Sequence, residues 1–446
     1  MGNGMLKKLR GLIKAGALVG VAVLLTSCTP KPKEHVSITY NFPDDSTDRR
    51  ALVREVIAAF EKQFDYIHVE PNFEKPDGPV WMTKVAPDVF LTDVDQLGNL
   101  AEKVAVDITP QITNEKKVLD AFYPEIASAC KVDSRQFMIP VSYSTDLLFY
   151  NADLVQKAVA ESRTYVNMQD LDFESIPKFA QAFVKKDGNQ ITRWALAMPR
   201  PLLLIQSWGT SPLAWNEVTI QNDLSRKALT FYASLLNEHH LVPPPELQKD
   251  DGLDLFKQQK IVFFVGRTDD LAAVEKIKDF RWDIAPVPKG PKRMQPGMPQ
   301  PGSMTPPPPT EVWPRYSRLS INGNCIWANS AHFAEAWEFT KFFSSEAALK
   351  ILARSRAGVP AAKVVAESTD FLHKPPDHVN VLIDARTISR LDNMHNHSFW
   401  DEFNRSAFTE ITGQLLEGKI NVDDAIAFIE QTGKDLMEKE KAEKKK

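Results

Sequence analysis

The sequence predicts an α/β fold built on a mostly parallel sheet with helices on both faces. Strand-like runs alternate along the chain with stretches whose apolar residues recur at helical spacing. The length of 446 residues indicates two or three domains, or two large lobes. With 43% hydrophobic residues, 25% charged residues and a net charge of -4, the composition is that of a globular protein and gives no reason to expect a nucleic-acid partner.

The first elements after residue 35 carry the clearest alternation. "HVSITYNF", "YIHVEPNF" and "APDVFLTD" read as strands, and "VDQLGNLAEKV" reads as a helix. "DDSTDRRALVREVIAAFEKQF" places Val53, Ile57, Phe60 and Phe64 at helical spacing, with residues 46–48 available as caps. The order β-α-β-α favours parallel strands joined by helices.

The later elements are mixed. "RWALAMP", "KIVFFVG" and "RLSINGNCIWAN" predict strands, and residues 225–238 predict a helix. "AHFAEAWEFTKFFSSEAALKILAR", "SFWDEFNRSAFTEITGQLLEG" and "NVDDAIAFIEQTGKDL" predict amphipathic helices, the last capped by Asn421. The proline-rich residues 286–314 predict an exposed loop, either a solvated insertion or a flap near a ligand.

The N-terminus has the features of an export signal. Four basic residues (Lys7, Lys8, Arg10, Lys14) precede the short apolar run 15–25, which is too short to span a membrane. "LTSC", ending at Cys28, resembles the bacterial lipobox, which implies cleavage before Cys28 and lipid on its sulfur; ordinary secretion is the alternative. We therefore expect a signal peptide at 1–27, a lipidated spacer at 28–35, and a protein tethered outside the cytoplasmic membrane. Cys130 and Cys325 are expected to be two separate buried thiols.

The succession of segments resembles extracellular solute-binding protein family 1, the maltose-type substrate-binding components of ABC importers. The resemblance rests on "VREVIAAFEKQFDYIHVE", "APDVFLTDVDQLGNLAEKVAVDITP", "SRQFMIPVSYSTDLLFYNADL", "FKQQKIVFFVG", "WDIAPVPKG" and "AWEFTKFFSSEAALKILARSRAGVP" in this order. It implies a two-lobed, type II-like periplasmic-binding-protein fold, with a small polar solute, most directly a sugar or oligosaccharide, held between the lobes. The alternative is a non-sugar solute such as a polyamine, a metal chelate or another small molecule. The resemblance also implies an ABC permease as partner, a monomer and no cofactor.

The resemblance further implies where the chain changes lobe. We expect the first lobe at 36–145 and 319–358, the second lobe at 146–318 and 359–436, and a charged tail at 437–446.

Polar residues at strand ends are candidate ligand contacts. Thr92, Asp93, Asp95 and Gln96 lie at or just after the end of a predicted strand, and ligands of open α/β sheets lie beyond the carboxyl ends of strands. Either aspartate could instead cap the following helix. Tyr143 and Ser144 lie where the resemblance places the first crossing between lobes, although Tyr143 could be structural.

Aromatic residues are candidates because sugar rings pack on them. Trp208 and Trp215 lie in the loop "QSWGTSPLAW", and Trp400 lies where family members often carry a stacking aromatic; core packing is its alternative. In "FFVGRTDD", Gly266 is followed by Arg267 where the family often has Pro-Trp, which disfavours a maltodextrin ligand. Asn322 and Asn324 at the second crossing could contact ligand or form a simple turn.

Three other functions compete with solute transport. A glycosidase could use Asp93 and Asp95 as acid and base, but the chain has no "HExxH", phosphate loop or nucleophile elbow. A metal site could use His395 and His397, but residues two apart on a helix do not share a face. The third alternative is a surface lipoprotein whose cleft no longer binds ligand.

Overall fold

Two long neighbouring strands, Ile139–Asn151 and Ser317–Ile326, run through the middle of the main sheet and carry the chain between two lobes. We call them the crossing strands. The computed structural model describes residues 34–75, 87–162, 166–214, 217–248, 252–295, 308–391 and 399–443. The predicted signal peptide and Cys28 lie outside the described residues.

The main sheet is mixed. Its strand order is Phe263–Arg267, Ile139–Asn151, Ser317–Ile326, Val89–Asp93, Val36–Asn41 and Ile67–Asn72. Three short strands join the crossing strands at their flanks, namely Trp282–Pro286, Val359–Pro360 and Ser389–Arg390.

Strand direction differs between the lobes. In the first lobe Val36–Asn41 pairs in parallel with both of its neighbours, as predicted. In the second lobe Phe263–Arg267 and Trp282–Pro286 are antiparallel to the first crossing strand, so the expected mostly parallel sheet is wrong there. The alternation of side chains indicates that a strand exists, whereas its direction depends on how the chain returns to the sheet.

Helices of the first lobe cover the parallel strands. Thr47–Gln63 begins at Ser46, whose Oγ accepts a hydrogen bond from the Arg49 backbone N–H, and it buries Val53, Ile57 and Phe60. The predicted helix and cap are therefore confirmed. The other helices of this lobe are Leu97–Lys103, Thr109–Asn114, Pro124–Ala129, Phe333–Phe343, Glu346–Ala353 and Lys363–Ala366.

Helices of the second lobe surround the other half of the sheet. They are Ala152–Ser162, Ile176–Ala180, Pro201–Ser207, Asp223–Asn237, Leu253–Lys257, Leu271–Val274, Val381–Asp384, Trp400–Phe403, Ile411–Leu416 and Val422–Glu443, with a π-helical segment at Asn404–Glu410. Asn421 caps the last helix by accepting from the Asp424 backbone N–H at 2.9 Å, as predicted. None of the described helices is long and apolar enough to span a bilayer.

Buried hydrophobic residues form two clusters. One fills the first lobe and extends onto one face of the second-lobe strands, where Phe149 and Phe264 stack at 4.8 Å. The other cluster fills the second lobe. It includes Leu148 and Phe263, which precede Phe149 and Phe264 in their strands and therefore point to the opposite face of the sheet. The crossing strands are thus packed on both faces, and residues from Val36 onward form one compact unit.

Three segments bear on the predicted domain division, which stays a prediction. Val359–Pro360 pairs with Tyr143 and Ser142, and Ala362 bridges Phe122, so backbone pairing keeps residues 359–366 with the first lobe. The last helix runs through most of the predicted tail because Met437 and Glu440 on it are buried. Within the predicted proline-rich loop, Arg293–Gln295 and Thr310–Val312 form an antiparallel ribbon.

The two cysteines of the folded region are free and buried. Burial raises the pKa of the Cys130 thiol and of the Cys325 thiol well above the usual range. Both are therefore neutral thiols that pack in the core of the first lobe, which confirms the interpretation from sequence.

The interlobe cleft as candidate functional site

An open cavity of about 520 Å³ lies where the two lobes meet, and we call it the interlobe cleft. This volume is suited to a small molecule. The first lobe, the second lobe, the second crossing strand and the linking segment (residues 385–391) all contribute to its lining, which comprises Glu125, Gln206, Thr210, Ser211, Tyr316, Leu319, Arg386, Thr387, Ser389, Arg390 and Leu391. A cavity of about 590 Å³ beside Trp194 has a lining drawn from residues 190–260, which belong to the second lobe alone.

Beside the cleft, Asp146 of the first crossing strand bonds to Arg200, Ser317 and Arg318. We call this bonded region the floor. The Asp146 carboxylate accepts a hydrogen bond from the Arg318 backbone N–H at 2.8 Å and pairs with the Arg200 guanidinium. Its backbone N–H donates to the Ser317 Oγ at 2.9 Å. The Asp146 side chain is only 2% exposed, so these bonds satisfy a charge that would otherwise be costly to bury.

The strand end at Val89–Asp93 joins this floor. Asp93 caps the short 3-10 helix Val94–Gln96 by accepting from the Asp95 backbone N–H at 2.8 Å, and it also accepts from the Ser320 hydroxyl. Asp95 forms an ion pair with Arg318. For Asp93 the capping alternative therefore describes the structure, and neither aspartate is among the lining residues of the cleft.

Three candidates at the strand ends are partly exposed and lie outside the lining. Thr92 pairs in register with Gly323 of the second crossing strand, and Asn322 pairs with Asp93. Gln96 ends the 3-10 helix that Asp93 caps. Their ligand contacts remain predictions.

Other predicted contacts are buried in the framework. Tyr143 is fully buried, edge-on to Tyr123 at 6.3 Å between ring centroids. Ser144 accepts from the Thr268 hydroxyl at 3.0 Å, and Asn324 accepts from the Tyr40 hydroxyl at 3.0 Å. The structural alternative for Tyr143 thus matches its position, and Asn324 lies within the first-lobe core rather than in a turn.

Gly266 and Arg267 support the second-lobe sheet. A Cβ on Gly266 would lie 2.4 Å from Phe264 Cε2 and 2.7 Å from Asp270 Oδ2, so only glycine fits. Arg267 forms an ion pair with Asp269 at 3.2 Å. Neither residue lines the cleft.

The predicted stacking aromatics are also in the core. Trp208 is 3% exposed and packs against Phe231 and Phe173, with ring centroids 5.0 and 5.8 Å away. Trp400 is 5% exposed and packs against Phe403, which corresponds to its core-packing alternative. Trp215, His395 and His397 lie outside the described residues.

The cleft lining includes Glu125 and Arg386, which were not among the residues predicted from the sequence. Arg386 ion-pairs with Glu125, and its Cζ lies 3.7 Å above the Tyr123 ring. Burial and the Glu367 carboxylate raise the pKa of Tyr123 well above its usual value, so its hydroxyl stays protonated and donates to Glu367 at 2.8 Å. The sequence signal for the linking segment is that residues 385–391, "ARTISRL", carry four polar residues shortly after the apolar run at 381–383.

Two lobes joined by crossing strands, with a polar cleft between them, define a class of protein that binds a solute between its lobes. A family profile described as bacterial extracellular solute-binding protein matches residues 55–379. The chain therefore belongs to this family, which confirms the resemblance drawn from sequence. The family consists of solute-binding proteins rather than enzymes.

Solved structures show the same fold. An ABC substrate-binding protein from Listeria monocytogenes in complex with cycloalternan has 19% identity and a TM-score of 0.71, covering 90% of this chain and 98% of that one. Maltose-bound MalE3 of T. maritima has 19% identity and a TM-score of 0.67, with 90% and 100% covered. UgpB from Mycobacterium tuberculosis in complex with glycerophosphocholine has 14% identity and a TM-score of 0.72, with 92% and 99% covered. No curated protein matches the chain by sequence.

Proposed function

We propose that the protein captures a small polar solute, most directly a sugar or oligosaccharide, in the interlobe cleft and delivers it unaltered to an ABC-type permease. The observation that carries this proposal is the composition of the cleft lining. The carboxylate of Glu125 from the first lobe meets hydroxyl, amide and guanidinium groups from the second lobe, the second crossing strand and the linking segment there, around about 520 Å³. Structural neighbours bound to cycloalternan and maltose support a carbohydrate, and the neighbour bound to glycerophosphocholine widens the class to other polar solutes.

The mechanism follows from the connections between lobes. A solute that touches Glu125 of the first lobe and Thr210 of the second is bound more tightly when the lobes close. Closure also removes water, which strengthens each polar contact. A permease can read the resulting change of shape, and release requires only that the lobes open again. No covalent step is needed.

The N-terminus supplies the proposed location. Cleavage before Cys28 and lipid on its sulfur would tether the protein at the outer face of the cytoplasmic membrane or at the cell surface. A monomer is sufficient for this arrangement. Replacing Cys28 by Ala should move the protein from the membrane fraction to the soluble extracytoplasmic fraction, and a variant that stays with the membrane contradicts the lipid anchor.

Solute binding is tested by thermal shift and by product analysis together. The full-length chain is heated with sugars, oligosaccharides, polyamines or metal ions, and each solution is then analysed for the unchanged compound. A solute that binds the folded state raises the melting temperature by mass action and is recovered intact. Consumption of the compound points to an enzyme, and stabilisation that a chelator abolishes points to a metal-binding protein.

Lobe closure is tested separately by small-angle X-ray scattering. A solute that raises the melting temperature should also reduce the radius of gyration. Identical scattering curves with and without that solute would contradict the closure mechanism while leaving binding itself intact.

A further inference from the structure

Arg390 is the charged lining residue that no described carboxylate neutralises. The other two charged residues of the lining, Glu125 and Arg386, pair with each other. Arg390 donates through Nη1 to the carbonyl oxygens of Ser389 at 2.9 Å and Thr387 at 3.3 Å. Two arginines against one glutamate leave the cleft lining with one positive charge, on a chain whose net charge is -4.

The backbone holds Arg390 in a fixed position. Ser389–Arg390 pairs in parallel with Ser317–Arg318 of the second crossing strand. The Ser389 hydroxyl makes hydrogen bonds with the Ser317 Oγ at 2.8 Å and the Ala385 carbonyl at 2.7 Å, which anchors the strand from its buried side. With Nη1 tethered to two carbonyls, the guanidinium is positioned before any ligand arrives, and such preorganisation favours tight binding.

Part of the guanidinium remains available to a ligand. Arg390 is exposed, and its Nε and Nη2 make no hydrogen bond to the described residues. Nε and Nη2 of arginine form a planar fork whose spacing matches two oxygens of a carboxylate or phosphate. Adjacent hydroxyls of a neutral sugar can also span such a fork, but they carry no charge to offset the guanidinium, and charge-assisted hydrogen bonds are the stronger ones, so the arrangement favours an anion.

Neighbouring hydroxyl groups complete the site. Thr210 Oγ1 accepts a hydrogen bond from Asn222 Nδ2 at 3.0 Å, so its own proton is available to a ligand oxygen. Ser211 Oγ donates to the Leu213 carbonyl at 2.8 Å, so its lone pairs can accept from a ligand hydroxyl. The cleft therefore offers a cation, a donor and an acceptor, which together match a molecule with both an anionic group and hydroxyl groups.

Other arginines beside the crossing strands are already neutralised. Arg200 pairs with Asp146, Arg318 with Asp95, and Arg267 with Asp269. Tyr316 is the one aromatic residue among the described lining residues, so ring stacking contributes less here than charge and hydrogen bonding. The contrast singles out Arg390 as the group that selects the ligand by charge.

We propose that the solute is a hydroxylated anion, with a phosphate or a carboxylate, and that Arg390 binds its anionic group in the interlobe cleft. This inference rests on the proposed function, because it names the chemistry of the solute held in the same cleft. Phosphate esters and sugar acids share the chemistry that Arg390 recognises, and the ligand panel distinguishes them.

The test compares matched neutral and anionic ligands on the full-length chain. Glucose is set against glucose 6-phosphate and glucuronate, and glycerol against glycerol 3-phosphate, by thermal shift and then by calorimetric titration. We expect the anionic member of a pair to raise the melting temperature and the neutral member to have little effect. Binding should weaken as salt is raised, because the contact is between charges.

Two substitutions at Arg390 and one control identify the residue. Arg390→Gln should weaken binding of the anion at least about tenfold, the effect of losing a charge-assisted hydrogen bond. Arg390→Lys should retain part of the affinity, since it keeps the charge and loses the fork. Arg354→Gln removes the same charge from the first-lobe surface, where Arg354 pairs with Glu55, and should leave affinity unchanged.

The outcomes separate this inference from the proposed function. Tight binding of neutral sugars that Arg390→Gln does not weaken overturns the anionic assignment and leaves solute binding standing. Anion binding that survives Arg390→Gln also overturns it. If no ligand of either class raises the melting temperature, both proposals fail.

Discussion

Arg318 and Arg390 are partners in the register of two paired strands, yet their surroundings are opposite. Arg318 pairs with Asp95, and its backbone N–H donates to Asp146, so it belongs to the tightly bonded floor. Arg390 bonds only to backbone carbonyls and lines the cleft, within the described chain. An arginine that stabilises the fold and one that can meet a solute thus lie side by side on neighbouring strands.

The same contrast holds for aromatic residues. Trp208 is buried between Phe173 and Phe231, directly before the residues Thr210 and Ser211 that line the cleft. Tyr316 belongs to the lining itself. Trp208 therefore packs beneath the loop that carries Thr210 and Ser211, whereas Tyr316 contributes to the cleft lining itself.

The largest effect on stability is expected at Trp208. Trp208→Ala should lower the free energy of unfolding by about 3–5 kcal/mol, because it removes a large buried side chain and leaves a cavity. The matched control is Trp313→Ala, since Trp313 is 47% exposed and should change stability by less than about 0.5 kcal/mol. Denaturant unfolding followed by circular dichroism measures both. Equal effects at the two tryptophans contradict the assignment of Trp208 to the core.

A smaller but substantial effect is expected at the floor. Asp146→Ala should cost about 2–4 kcal/mol, because it leaves the Arg200 guanidinium and the Arg318 backbone N–H without their buried acceptor. Asp153→Ala breaks an Asp–Arg pair of the surface, with Arg281, and should cost at most about 1 kcal/mol. If both variants unfold at the same denaturant concentration, the floor does not have the structural role assigned to it.

The two register partners should respond differently to the same change. Arg318→Gln should lower the free energy of unfolding by about 1–3 kcal/mol, because Asp95 loses its cation in a largely buried position. Arg390→Gln should alter it by less than about 0.5 kcal/mol, because Arg390 bonds only to backbone carbonyls and no described carboxylate pairs with it. Thermal and denaturant unfolding without ligand give this comparison directly. A large loss of stability in Arg390→Gln would place Arg390 in the framework.

The smallest expected effect is on the pH dependence of the free energy of unfolding, and it arises at Asp88 of the first lobe. Burial raises the pKa of Asp88, but hydrogen bonds from Ser330 and from Thr39 outweigh burial and hold it below the ordinary value of 3.8. A lowered folded-state pKa stabilises the protein above pH 3.8, and this contribution is lost as pH falls through the lower folded value.

In Asp88→Asn the free energy of unfolding should therefore fall less steeply below about pH 4 than in the unmodified protein. The difference between the two proteins should be less than about 1 kcal/mol. Denaturant midpoints between pH 7 and pH 3 measure the slope for both proteins. An identical slope in the variant would show that the hydrogen bonds to Asp88 do not favour its charged form.

Much of the fold followed from local patterns in the sequence. The helix Thr47–Gln63, its cap at Ser46 and the strands on either side lie where apolar spacing placed them. These patterns depend on neighbours within a few residues, and the side-chain periodicity of a strand or helix records them directly. The site was harder to predict. Asp93 lies at a strand end and Ser144 in the first crossing strand, as expected, but these positions also suit a helix cap and a framework hydrogen bond.

The amino-acid sequence by itself determined the family, the two-lobed α/β fold and most of the helices and strands, because these depend on local spacing and on the order of segments. The tertiary structure decided which polar groups line the interlobe cleft. Asp95 and Arg318 neutralise each other although more than two hundred residues separate them, whereas Arg390 forms an ion pair with no described carboxylate. Charge pairing at such separation depends on the folded arrangement of the strands, which no local pattern records.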